Sequence, residues 1–185
     1  LAFSAPAPAL TTASDPAAPW PEGEAVSTTD GRIAALLADP ALTGAGMRAV
    51  VVVKDGRILG EAYGEGFSAT TPLLGWSMAK TVNAAILGRL VKDGKLGLDD
   101  AGLFPEWRDG AHAEIRLRDL MAMESGLEFN EDYGDVTDVT RMLYLEPDMA
   151  GFSLAKPALA QTGEKFNYSS GTSVLLSRIW MSRFG

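Results

Sequence analysis

The 185-residue chain contains no cysteine and a single histidine. Without cysteine there can be no disulfide, thiolate nucleophile or cysteine-based metal site, although the redox compartment stays open. With one histidine, any Ser-His-Asp arrangement or histidine-rich metal centre must run through His112. That residue lies in the polar stretch Asp109-Gly110-Ala111-His112-Ala113-Glu114. It follows Ser77 too closely to leave room for the acid that an α/β-hydrolase order places between them. In addition, Gly75-Trp76-Ser77-Met78-Ala79 departs from G-x-S-x-G at its last position. His112 therefore reads as a surface histidine. Basic residues are scarce as well: 16 Lys and Arg stand against 24 Asp and Glu, a net charge of -8. No basic cluster is available to neutralise phosphates, which argues against a nucleic-acid partner. No run approaches the roughly 18 to 20 apolar residues of a membrane span.

What is present is enough for one domain of ordinary size or two small lobes. Residues 1–29 hold half of the prolines (Pro6, Pro8, Pro16, Pro19 and Pro21) and read as an extended Pro/Ala-rich arm. The opening Leu1-Ala2-Phe3-Ser4-Ala5-Pro6-Ala7-Pro8-Ala9 has the small-residue look of the end of a secretory signal without its basic start. It suggests export to the periplasm, beside the plainer reading of a linker. Thr29-Asp30 can cap a short helix carrying Ile33, Leu36 and Leu37 on one face and ended by Pro40. Two strand-like runs, 47–53 and 57–63, flank Lys54-Asp55-Gly56, where Asp-Gly predicts a tight hairpin. The unbroken Val50-Val51-Val52-Val53 predicts a strand covered on both faces.

A helix over 77–93 follows, with Ala79, Val82, Ile86, Leu90 and Val91 at helical spacing. Residues 95–185 read as a helical lobe, with helices near 117–123, 136–145, 152–160 and 171–184. No further strand is predicted, so the hairpin begins a sheet that the chain does not complete. Its own C-terminal segment or a second copy is the expected way of completing it.

Ser77 and Lys80, three apart at a helix start, share one face, where a lysine can take part in activating a hydroxyl. Such a pair also recurs by chance on solvated helices. Tyr168 and Ser170, in Asn167-Tyr168-Ser169-Ser170-Gly171, stand where a polar loop opens a helix. Beside a lysine, Tyr168 can ionise more readily than an ordinary phenol and take a proton from a serine; taken alone it is equally a half-buried anchor. Glu131, Asp132 and Asp135 form an acidic loop without the glycine and closing glutamate of an EF-hand, and read as solvated carboxylates.

With Ser77-Met78-Ala79-Lys80, then 117–127 (Leu117-Arg118-Asp119 through Ser125-Gly126-Leu127), then Tyr168-Ser169-Ser170 in that order, the chain resembles the serine β-lactamase and penicillin-recognising superfamily, class C-like. Phe129-Asn130-Glu131-Asp132-Tyr133 and the Tyr168-x-Ser170 form are similar to the 6-aminohexanoate-dimer hydrolase and esterase branch. The resemblance implies an α/β (α+β) fold of β-lactamase/transpeptidase type, an antiparallel sheet flanked by helices plus a helical lobe, with 30–185 as its N-terminal part. It implies Ser77 as acylated nucleophile, Lys80 as its partner and Tyr168 as general base. Ser170 would help to hold Lys80 and substrate, Tyr133 would contact the scissile amide, and Trp76 would flank the substrate. The Ser77 N–H would supply half of an oxyanion hole.

The implied activity is amide or ester hydrolysis through an acyl-enzyme, on a small-molecule substrate and with no metal or cofactor. Tyr133 favours linear amides or esters over β-lactams. Nothing after Tyr168 fits the third family motif, a K-T-G-like or H-x-G-like triplet on a later strand. The later sheet strands are thus expected to be missing from this chain. A non-catalytic binding or sensor domain, or a fragment inactive without its C-terminal half, stands as the alternative.

Overall fold

The computed structural model describes residues 15–26 and 31–184, in two compact units, 1–74 and 75–185. The expected cap at Thr29-Asp30 lies outside the described residues.

In the first unit, helix α1 (Gly31–Ala38) ends before Pro40, which opens the single-turn α2 (Pro40–Thr43). Proline suits a first helical position, where its missing N–H costs nothing, and the Asp39 carboxylate caps the turn by accepting from the Ala41 N–H. Strands β1 (Ala49–Lys54) and β2 (Arg57–Tyr63) pair antiparallel through a two-residue turn. Asp55 (φ 51°) and Gly56 (φ 72°) are both left-handed, the conformation that matches the twist of a tight hairpin. Residues 15–26 form turns held to the unit by Arg57, whose guanidinium donates to the Trp20 carbonyl at 2.8 Å and pairs with Glu22.

The valine run is not covered on both faces. Val51 and Val53 are 46% and 52% exposed, whereas Val50 and Val52 are half-buried. The reason is the partner available: α1 packs against β2 so closely that a Cβ on Gly60 would meet Ile33 at 2.9 Å. Gly60 pairs with Val52, so that face is sheltered while the opposite one is not.

The second unit is helical. A 3-10 turn, Trp76–Met78, leads into α3 (Ala79–Lys92); then come a 3-10 turn at Gly110–Glu114, α4 (Leu117–Met121), α5 (Asp138–Tyr144), α6 (Met149–Leu154) and α7 (Ser170–Met181). The helix expected at 152–160 starts and ends earlier, because Asp148 caps it by accepting from the Gly151 N–H and Pro157 cannot be helical interior. Helix α7 is the hub, packing on α3, α4, α5 and α6. Its Leu175, Leu176 and Ile179 join Leu87 and Leu90 of α3, Leu117 and Leu120 of α4, and Trp107 in the main core. A smaller cluster, Phe129, Val139 and Met142, lies beside it with Leu143, Phe152 and Val174 at its edge. Val82, expected on the apolar side of α3, is 60% exposed; the buried side runs instead through Asn83, Leu87 and Leu90.

His112 is half-buried rather than at the surface. The 3-10 turn folds its ring to 5.4 Å from that of Trp107, and its Nε2 donates to the Lys156 carbonyl at 2.8 Å. No helix among the described residues is long and apolar enough to cross a membrane.

Candidate active site

Ser77 is presented by a tight corner. Trp76 before it adopts φ 44°, the left-handed region that costs a non-glycine residue roughly 1 kcal/mol or more, and the 3-10 turn then runs into α3. Lys80, one turn on, reaches back: its Nζ donates to Ser77 Oγ at 3.0 Å and to Ser170 Oγ at 3.3 Å. The Tyr168 hydroxyl meets Ser77 Oγ at 2.7 Å from the other side, and the Lys80 ammonium sits 4.8 Å from the Tyr168 ring centroid. Residues 91 apart in the chain, Ser77 and Tyr168, are thus in direct contact.

Tyr168 is held by its neighbours. The Asn167 N–H donates to the Met123 carbonyl at 2.8 Å, and its side-chain amide reaches the Leu127 and Phe129 carbonyls. On the other side, Ser169 caps α7 by accepting from the Thr172 N–H at 3.0 Å. With both neighbours fastened to the body, the phenol is directed at Ser77. Gly171 lets α7 come close: a Cβ there would lie 2.5 Å from the Phe129 ring.

The acidic loop contributes a group that residue type alone does not reveal. Glu131, read from sequence as solvated, is half-buried and accepts from both the N–H (2.7 Å) and the hydroxyl of Ser170. Asp132 and Asp135 are exposed and accept from the nearby Gly134 and Val136 N–H groups, closing local turns. Glu131 differs because its side chain meets the N-terminus of α7, where unpaired N–H groups and the helix dipole attract a carboxylate. Tyr133, half exposed, places its hydroxyl 3.5 Å from Glu131, the outer limit of a hydrogen bond, and its ring edge-to-face with Trp76 at 6.3 Å.

The two phenols are pushed in opposite directions. The hydrogen bond with Ser77 lowers the pKa of Tyr168; burial works against this, and the nearby Lys80 cation reinforces it. Burial raises that of Tyr133; the Ser170 hydrogen bond opposes this, and the Glu131 charge adds to it.

A second unforeseen residue is Asn83, one turn beyond Lys80. Its amide donates to the Ser173 carbonyl and to Ser177 Oγ (3.0 Å), and its oxygen accepts from Trp180 Nε1 (3.0 Å). It fastens α3 to α7, and with them Lys80 to Ser170. The signal in sequence was the repeat of polar residues at Ser77, Lys80 and Asn83, three apart on one helical face.

A family model described as Beta-lactamase matches residues 29–181. The chain belongs to the Beta-lactamase family. Among solved structures, a putative 6-aminohexanoate-dimer hydrolase from Bacillus anthracis is similar, with a TM-score of 0.57 and 21% identity over 71% of this chain and 39% of that one. At that identity the likeness is one of fold, and the β-lactamase-like chain spans about two-fifths of the neighbour's length. No curated protein matches. Among the described residues the β-lactamase-like fold consists of a two-stranded antiparallel sheet and helices.

Proposed function

We propose that the protein is a serine hydrolase that cleaves an amide or ester through an acyl-enzyme on Ser77. The observation that carries this reading is the position of Ser77 Oγ, 2.7 Å from the Tyr168 hydroxyl and 3.0 Å from Lys80 Nζ. In the reaction, Tyr168 as phenolate takes the Ser77 proton while Oγ forms a bond to the substrate carbonyl carbon. The Lys80 ammonium, hydrogen-bonded to Oγ, holds down the Tyr168 pKa, and the Ser77 N–H stabilises the oxyanion. Collapse breaks the bond to the leaving amine or alcohol, which receives the proton from Tyr168. Water then gives a proton to Tyr168 and adds to the acyl carbon. The Oγ–C bond breaks, Ser77 regains its proton and the acid product departs.

Membership of the Beta-lactamase family supports the hydrolytic chemistry, and the fold neighbour whose title names a 6-aminohexanoate-dimer hydrolase supports that branch. Tyr133, kept as a donor beside Trp76 and Ser77, favours linear amides or esters over β-lactams. The reaction uses no metal or organic cofactor. The test is incubation with a fluorophosphonate and with a chromogenic short-chain ester. A single adduct on Ser77 with ester turnover, both lost in Ser77→Ala, is expected. Folded protein showing neither adduct nor turnover would overturn the reading.

A further inference from the structure

The hydrogen bonds around Lys80 have a direction that the chemistry of their ends fixes. An ammonium can only donate and an ionised carboxylate can only accept. Lys80 Nζ lies 3.3 Å from Ser170 Oγ, which is hydrogen-bonded in turn to the Glu131 carboxylate. The Ser170 hydroxyl therefore presents a lone pair to Lys80 and its proton to Glu131. A second run starts from the same ammonium and passes through Ser77 Oγ at 3.0 Å to the Tyr168 oxygen, 2.7 Å further on. In the proton transfer proposed above it ends on the Tyr168 phenolate. Each run thus leaves Lys80, crosses one serine and ends on one anion.

Glu131 is fixed at the end of its run. Its second oxygen accepts from the Ser170 N–H at 2.7 Å, so one carboxylate grips both the backbone and the hydroxyl of the same residue. The residue before it is tied to α5 on both sides of its backbone. The Asn130 N–H donates to the Asp138 carboxylate at 2.9 Å, and the Asn130 carbonyl accepts from the Val139 N–H at 3.1 Å. Asp138 is itself paired with Lys156. With the carboxylate removed, the Ser170 proton loses its acceptor and the hydroxyl is free to rotate, withdrawing its lone pair from Lys80.

We propose that Glu131 is a positioning residue for the hydrolytic reaction, holding the Ser170 hydroxyl as an acceptor and through it the Lys80 ammonium against Ser77 Oγ. The inference rests on the proposed hydrolase reading. Glu131 acts through Ser170 and not on the reacting atoms.

The experiment measures the rate constant for fluorophosphonate labelling of Ser77 against pH in the wild type, Glu131→Gln, Ser170→Ala and the double variant, with thermal melting of each to report the fold. Glutamine keeps the size of the side chain but offers an acceptor to only one of the two Ser170 donors. Glu131→Gln should slow labelling about tenfold, the cost of one misdirected hydrogen bond to a charged group. In the Ser170→Ala background the same change should slow it less than about twofold, because the hydroxyl it acts on is already gone. The acid limb of the profile reads Tyr168, which faces Lys80 from α3 and both Glu131 and Tyr133 from the acidic loop. The Ser77 hydrogen bond lowers the Tyr168 pKa, burial opposes it, Lys80 adds to the lowering and the Glu131 charge raises it. Glu131→Gln should therefore move that limb to lower pH. Glu131→Asp, which draws the carboxylate back by one methylene, gives the same comparison of rates in the two backgrounds should Glu131→Gln fail to fold. Labelling at the wild-type rate, equal slowing in both backgrounds, or an unmoved limb in Glu131→Gln overturns the positioning role and leaves the hydrolase standing. Folded wild-type protein that takes no label overturns both.

Discussion

Two glycines of the helical unit give opposite expectations for the same substitution. At Gly88, inside α3, an added Cβ meets nothing within 4 Å and the residue is exposed. Replacing glycine by alanine in a helix interior is worth about 0.8 to 1 kcal/mol, so Gly88→Ala should stabilise by up to that amount. At Gly171 the same Cβ would lie 2.5 and 2.8 Å from two Phe129 ring carbons and 3.0 Å from Ser153 Oγ. Neither neighbour yields easily. Phe129 is 7% exposed, and the Ser153 hydroxyl is committed to the Met149 carbonyl at 2.9 Å. Overpacking of this kind costs about 1 to 3 kcal/mol and outweighs the helix gain, which is smaller at a helix start. Gly171→Ala should therefore destabilise by about 1 to 2 kcal/mol. For a domain of this size that corresponds to melting roughly 3 to 6 °C lower, with Gly88→Ala about 2 to 3 °C higher. Differential scanning calorimetry of the three proteins is the assay, with fluorophosphonate labelling of Ser77 alongside. Gly171→Ala should also label more slowly, since the relief available is to move α7 away from Phe129, taking Ser170 from Glu131. A Gly171→Ala protein that melts at or above the wild type refutes the packing argument.

Three further outcomes follow from the site and its supports. In an absorbance titration of the tyrosines, Tyr168→Phe should remove a component that ionises below the usual phenol range near 10, because the Ser77 hydrogen bond and Lys80 favour the Tyr168 phenolate. Persistence of that component assigns it to another tyrosine. Asp119, 4% exposed, is disfavoured as a charge by burial, but the Arg116 hydrogen bonds and charge outweigh this and lower its pKa. Its contribution is present above the unfolded carboxylate range near 3.9 and is lost as pH falls through the lower folded value. Urea denaturation of Asp119→Asn at neutral pH should show a loss of about 2 kcal/mol that shrinks towards pH 2, and a loss independent of pH would contradict the linkage. Asn83→Ala, which removes the side-chain hydrogen bonds that join α3 to Ser173, Ser177 and Trp180 of α7, should cost about 1 to 3 kcal/mol and slow labelling of Ser77. Unchanged labelling in that variant would show that Lys80 is positioned without α7.

The hairpin and the Ser77–Lys80 pair were legible because their signals are local: Asp55-Gly56 has the backbone preferences its turn requires, and a spacing of three on a helix fixes a shared face. Tyr168 could be tied to them in sequence only through the family resemblance, since a contact across 91 positions leaves no local trace. Glu131 and Asn83 escaped for a related reason. A glutamate in an acidic loop and an asparagine in a helix are most often solvated, and only the packing of α7 against both gives them partners. The exposure of Val51, Val53 and Val82 was hidden from the other direction. A run of apolar residues states what a surface could cover, not which neighbour arrives to cover it.

Helix α7 puts site and core on a single thread. Ser170, Ser173, Val174 and Ser177 recur at intervals of three and four towards α3 and a cavity that Ser77 and Lys80 also line, while Leu175, Leu176 and Ile179 enter the core. Losing or gaining one residue early in α7 would turn everything after it by about 100°. A deletion would bring Leu175 to the cavity place of Val174 and Ser177 to the core place of Leu176, and an insertion would bring Arg178 to the core place of Ile179. The length of this helix between Ser170 and Ser177 is therefore closed to insertion and deletion, even though single side chains along it can be exchanged. Variation in the shape of the cavity has to enter by substitution here, or by changes of length in the loops that flank it.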